Sequence, residues 1–182
     1  MTNPLVFDTG PLRHFAMHQW LGSLKFLTGD RGLLIPESVE YELLRQEREL
    51  PALRQILEAD WVEVDRSDDL DFTAVFADYE ERLVPLGTKD NFGECGVLAL
   101  GKARGFEVVL DDGTPRGIAE AEKIRVTATL PLLCEGIRAG QLTVPMVEHL
   151  ADELIAGDYY LPFGPGEFRR WALEEGLIEY GD

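Results

Sequence analysis

Leu5-Val6-Phe7-Asp8-Thr9-Gly10-Pro11-Leu12 decides how the chain folds. Three apolar residues run directly into an acid, and Thr-Gly-Pro then breaks the extended run. Continuous apolar character without alternation is the pattern of a strand covered on both faces, as in the middle of a parallel sheet. Ligands of such sheets gather at the carboxyl ends of the strands, which is where Asp8 falls.

A second stretch repeats the pattern: Phe106-Glu107-Val108-Val109-Leu110 runs into Asp111-Asp112-Gly113. Shorter strands are expected at residues 32–36, 61–64 and 124–126. Between them the apolar spacing is helical. Residues 12–27 form one or two short helices interrupted at Gly22. Ser38 caps a helix running to about Arg48, and Pro51 opens a short one over 52–59. Phe72, Val75, Phe76, Tyr79 and Leu83 share the face of a helix ended by Pro85 and Gly87, their aromatic rings serving as core. Asp90 or Asn91 caps a helix over 93–104 that Gly105 terminates. A helix from Thr114 to Glu122 carries Arg116 in its first turn, and further helices follow at about 130–139, 144–156 and 166–175. Strand–helix alternation of this kind predicts an α/β three-layer domain with a central parallel sheet. At 182 residues the chain is expected to be a single domain over 1–182, an α/β core (1–128) with C-terminal helices (129–182) packed on it.

Two strands therefore end in aspartates at one sheet edge, and two helices beginning near that edge offer Glu42 and Glu94. Glu42 lies at the margin of its helix's apolar stripe, where a solvated acid is the plain alternative. Glu94 occupies a first helical turn, where the helix dipole favours an acid by a few tenths to about 1 kcal/mol, yet it faces the buried side, where an unpaired charge costs more. If the four acids converge, each pair at about 4 Å repels by roughly 4 kcal/mol at an effective dielectric near 20. Bound cations or raised pKa values are needed to hold such a cluster. Carboxylate oxygens suit Mg²⁺ or Mn²⁺, and no His/Cys set is spaced for zinc. His14 and His18, four apart on a helix, lack an evident third ligand and read as partly exposed helical residues. An acidic divalent-metal site is suited to phosphate chemistry.

The formal charge of −17, from 34 acids against 17 bases, points the other way. Phosphate contacts need Lys and Arg in a footprint. Cys95 and Cys134 lie far apart without metal-ligand spacing and are expected to be reduced. No run approaches a membrane span, and Met1-Thr2-Asn3-Pro4 lacks a basic region followed by an apolar one, so a soluble, cytoplasmic protein is expected.

Phe7-Asp8-Thr9 with Leu12, Val39-Glu40-Tyr41-Glu42-Leu43 after Ile35-Pro36, Gly93-Glu94 opening a helix, and Leu110-Asp111-Asp112 followed by Arg116 together resemble the PIN-domain ribonucleases. Order and spacing look most like the toxin-like branch of bacterial and archaeal PIN proteins, and the likeness runs into the tail, at 150–154, Gly157 and 168–173. The resemblance implies a Mg²⁺- or Mn²⁺-dependent endoribonuclease. Asp8, Glu42, Glu94 and Asp112 match the family's acidic positions, and Thr9 its hydroxyl beside the first Asp. Asp112 begins the turn into the helix, which favours it as the last acid, with Asp111 as the alternative ligand. Glu40 is the rival to Glu42, and Arg116 matches a basic position that holds an acid or contacts phosphate. The resemblance also implies an antitoxin partner and a homodimer.

Other readings fit less well. Asp8-Thr9-Gly10 also occurs in aspartic proteases, which are β-rich and use two such triplets. A haloacid-dehalogenase-like phosphatase would need an Asp at position 10, which is Gly. The alternative from another class is a PIN-like, non-catalytic binding module.

Overall fold

The computed structural model describes residues 3–88, 90–157 and 159–181. Met1 and Thr2 of the opening stretch, Asp158 in the connection ahead of the last helix, and the terminal Asp182 of the expected 1–182 domain lie outside them. Five strands among the described residues form one parallel sheet: β1 (Leu5–Phe7), β2 (Leu33–Pro36), β3 (Val62–Asp65), β4 (Glu107–Val109) and β5 (Val126–Thr127), in the order β3-β2-β1-β4-β5. Leu5 and Val6 of β1 pair with Leu33 and Leu34, while Leu5, Val6 and Phe7 pair on the other side with Glu107, Val108 and Val109. β1 is thus the central strand, and Leu5, Val6 and Phe7 are buried, as an unalternated apolar run requires.

Helices α1 (Thr9–Met17), α2 (Leu21–Thr28), α3 (Glu37–Gln46), α4 (Arg54–Leu57), α5 (Leu70–Leu83), α6 (Phe92–Arg104) and α7 (Gly113–Ala121) connect the strands. The tail adds α8 (Thr129–Arg138), α9 (Val144–Ala156) and α10 (Phe168–Glu174). The three-layer arrangement follows from the sheet being apolar on both faces. Because the chain winds outward from β1 to β3 and then returns to β4 on β1's other side, the winding reverses between β1 and β4. A crevice at their carboxyl ends is the ligand position of such sheets, and Asp8 and Asp111-Asp112 follow these two strands.

Local chemistry departs from the sequence reading at three helix starts. The first helical region breaks at His18–Trp20, where Gln19 takes φ 62°, and Gly22 lies inside α2. Ser38 does not cap α3, which starts one residue earlier behind Pro36; its hydroxyl is buried and unpartnered against α6. Asn91 holds the N-cap position of α6 in the left-handed region without a capping bond, and its amide donates instead to the Leu83 carbonyl at 2.9 Å, tying α6 to the end of α5. β5 sits at Val126–Thr127, past the expected 124–126. Phe72 and Phe76 pack against the core, as expected of α5, with Phe76 edge-on to Phe92. Cys95 and Cys134 are buried free thiols.

The α3–α6 contact, which carries Glu42 and Glu94, is set by Gly96: a β-carbon there would lie 2.2 Å from Ser38 Oγ and 2.9 Å from Pro36 Cβ. Gly117 in α7 has nothing within 4 Å of that position. Gly96→Ala is therefore expected to overpack by about 1–3 kcal/mol, lowering Tm by roughly 3–10 °C in a domain of this size. Gly117→Ala should raise it by about 1–3 °C through helix propensity. Thermal unfolding of the two variants beside the wild type checks both signs.

Candidate active site

A cleft of about 500 Å³ opens at the carboxyl ends of β1 and β4 and is lined by Asp8, Glu42, Glu94, Asp111 and Asp112. Asp8 and Asp112 reach it by the same local device. Asp8 directly follows β1, whereas Leu110 and Asp111 separate Asp112 from β4; each is extended and caps the following helix with one carboxylate oxygen. Asp8 Oδ2 accepts from the Gly10 N–H at 3.3 Å and Asp112 Oδ1 from the Thr114 N–H at 3.1 Å. The Asp8 N–H donates to the Val109 carbonyl at 3.3 Å, which keys the end of β1 to β4. The other Asp8 oxygen, Oδ1, is buried with no hydrogen-bond partner.

Glu42 is buried rather than solvated. Thr9 Oγ1 donates to its Oε2 at 2.6 Å and the Gly93 N–H to its Oε1 at 2.7 Å, so it joins the starts of α1 and α6. Glycine at 93 is what permits that approach, since a β-carbon there would stand 2.7 Å from Glu42 Oε2. Glu40, the rival, points elsewhere: Arg66 grips both its oxygens at 2.7 and 2.8 Å. Glu94 lies in the first turn of α6, and the N-terminal ends of α1, α6 and α7 all border the cleft, where their dipoles moderate the negative charge.

That moderation is incomplete. Burial, then the Glu94 charge and more weakly Glu42, push the Asp8 carboxyl from its ordinary 3.8 up to about 8. Glu94 is also raised, chiefly by burial, with Glu42 and Asp112 adding repulsion. An acid that retains its proton for want of a counter-charge, with one oxygen buried and unpaired, is the electrostatic condition a cation relieves. Among the described residues no three His, Cys, Asp or Glu side chains are drawn together as a closed metal-ligand group. The carboxylates instead line an open cleft, and oxygen donors of this kind suit Mg²⁺ or Mn²⁺.

Asp111 and Asp112, left open as alternatives by the sequence, differ sharply. Asp111 Oδ1 accepts from the Thr129 N–H at 2.7 Å, and Oδ2 from the Thr129 hydroxyl at 2.6 Å and from the Tyr159 hydroxyl. It anchors the start of α8 and the tail to the cleft. Asp112 keeps one oxygen outside its capping bond.

Several lining residues were not singled out from sequence. Tyr159 sits in the connection after α9, with no pattern to mark it. Its ring meets that of His14 edge-on at 4.3 Å. His14 does line the cleft, and burial, helped by Arg13 and His18, lowers its pKa to about 4. His18 does not line it; its Nε2 is buried against Gly157. Arg13 and Arg45 also line the cleft and have no carboxylate partner among the described residues, whereas Arg31, Arg54, Arg66, Arg82, Arg104 and Lys102 are ion-paired elsewhere. Arg116 holds no acid among the described residues and lines an adjoining groove rather than the acid cleft.

A family model described as a PIN domain matches residues 4–164, from β1 through the connection after α9. No curated protein matches the chain.

Because the folded protein keeps the Asp8 proton up to about pH 8 and the unfolded chain releases it near 3.8, the folded state binds more protons throughout that interval. Its contribution is therefore present at low pH and lost as pH rises from about 4 to 8. In chelator, the Tm of the wild type should fall over this interval, Asp8→Asn should flatten the fall, and at pH 8 the variant should melt a few degrees higher. Parallel melting curves at pH 5 and 8 check this, and equal slopes would contradict it.

Proposed function

The chain belongs to the PIN-domain family, whose members are in general nucleases that use divalent metal ions, and we propose that it is a metal-dependent endoribonuclease. The observation that carries the reading is the buried, unpartnered Asp8 Oδ1 beside Glu94 and Glu42 at the point where the sheet reverses its winding.

In this reading Asp8, Glu94 and Asp112 hold Mg²⁺ or Mn²⁺. Glu42 is the fourth catalytic acid, its carboxylate set in place by Thr9 and Gly93. An ion held there would supply Lewis acidity toward a water and toward the charge of the departing oxygen. The chain supplies position. Three helix starts and β1 fix the acids relative to one another, and Arg13 and Arg45 offer guanidinium groups to the phosphates on either side of the bond to be cut. Asp111, already engaged by three donors, is assigned a structural part.

The likeness to toxin-like PIN proteins extends the proposal to the toxin of a toxin–antitoxin pair, as a homodimer in the cytoplasm. No helix among the described residues is long and apolar enough to cross a membrane. A formal charge of −17 suits a basic antitoxin segment, and co-purification that disappears at high salt tests that pairing.

The direct test is cleavage of a mixed RNA pool in Mn²⁺. Asp8→Asn, Glu94→Gln and Asp112→Asn should each lose on the order of 100-fold or more, the scale seen when one charge-stabilising group is removed from an active site. A chelator should abolish activity. Asp111→Asn should instead lower Tm. Mn²⁺ at a hundredfold excess over its Kd should add about 2.7 kcal/mol, or roughly 5–10 °C, to the wild type and less to Asp8→Asn. A wild type freed of partners that neither binds Mn²⁺ nor cuts would make the chain a non-catalytic binding module.

A further inference from the structure

A second cavity of about 470 Å³ lies beside the acid cleft and shares Asp111, Tyr159 and Tyr160 with it. Tyr159 is the fixed partition between them: its hydroxyl donates to Asp111 and its ring lies edge-on to His14. Beyond this partition the walls are largely apolar, with Leu130, Leu161, Pro162 and Trp171 contributed by the C-terminal segments and Glu175 as a further acid beside Asp111. Two features at this groove have no structural use. Tyr160 is 89% exposed and makes no ring contact, ion pair or hydrogen bond among the described residues. Arg116 faces the groove without a carboxylate partner among them, although the chain carries acids at twice the number of its bases.

A largely apolar recess flanked by an exposed aromatic ring and a guanidinium without a carboxylate partner among the described residues suits a ligand that is aromatic and anionic at one end. A nucleotide has that form. A single apolar side chain would fill the recess but leave Arg116 without an anion. The shared wall also places the groove one step from where a phosphodiester would meet the acids. We propose that the groove formed by Tyr160, Trp171 and Arg116 binds one nucleobase of single-stranded RNA, that of the nucleotide adjoining the phosphate to be cut, with Arg116 on that nucleotide's phosphate. The assignment rests on reading the acid cleft as the phosphodiester site. It gives this acidic chain a contribution to RNA affinity beside its few phosphate contacts, because stacking on an aromatic ring adds binding energy without requiring a further cation.

The test is binding of a fluorescein-labelled ten-nucleotide oligoadenylate, and of the same strand made fully abasic, to the full-length protein carrying Asp8→Asn to prevent cleavage, in Mg²⁺, followed by anisotropy. Adding Tyr160→Ala should weaken oligoadenylate binding about tenfold, within the range for losing one base–aromatic stack. Tyr160→Phe should leave it within about twofold, and neither should alter binding of the abasic strand. Since Tyr160 is exposed, the variants should share one Tm. Oligoadenylate binding indifferent to Tyr160→Ala, or weakened equally on both strands, overturns the groove and leaves the acid cleft as proposed. No binding of either strand overturns the groove, and if the wild type also cuts no RNA in Mn²⁺ the acid cleft falls with it. Tyr160-dependent binding by a protein whose wild type cuts nothing supports the groove and removes the nuclease.

Discussion

Repulsion among carboxylates at the end of the central strand is the constraint on which the rest of the structure turns. Asp8 is placed by β1, Glu42 by α3, Glu94 by α6 and Asp112 by the β4–α7 turn, and separate segments bring like charges together only against an electrostatic cost. That cost is met in part by backbone dipoles, since three helix starts border the cleft and two of the aspartates are themselves caps. Hydrogen bonding meets another part at Glu42. What is left over is concentrated on Asp8, whose proton is retained up to about pH 8 and whose Oδ1 has no partner.

Much of the surrounding packing is explained by the need to hold those segments fixed. Gly93 lets α6 approach Glu42, and Gly96, one turn on, lets the same helix lie against Pro36 and Ser38. The tail takes part as well. Asp111 receives Thr129 at the start of α8 and Tyr159 after α9, so the C-terminal helices are tied to the sheet edge at the cleft itself. Among the surface charges, Arg31, Arg66, Arg82 and Arg104, remote from the cleft, are paired with carboxylates, whereas Arg13 and Arg45, which line it, have no such partner among the described residues. The net charge of −17 thus coexists with local cations where a polyanion would lie.

The sheet was legible in the sequence because its signals are local. Unalternated apolar runs at 5–7 and 108–110 require cover on both faces, and the acids that end them are fixed in place by the strands before them. That Asp8, Glu94 and the Asp111-Asp112 pair lie at one cleft could be read from strand ends and a helix start. Glu42 could be separated from Glu40 only by resemblance, because two residues apart on a helix margin the pattern is ambiguous; the tertiary partners Thr9, Gly93 and Arg66 decide it. Capping was misread at Ser38 and Asn91, where a side chain capable of capping is drawn to a different neighbour, or to none. Tyr159 and the division of labour between Asp111 and Asp112 were not legible, because they depend on contacts across 18 to 48 residues that leave no periodic trace.

The measurement that bears most directly on the central claim is an anomalous-difference map from crystals of the full-length protein soaked in Mn²⁺. The account predicts a peak within coordinating distance of Asp8, with Glu94 and Asp112 turned toward it, and its loss in Asp8→Asn crystals. An ion bound only elsewhere, or a cleft without a peak at Mn²⁺ concentrations that raise Tm, would contradict it.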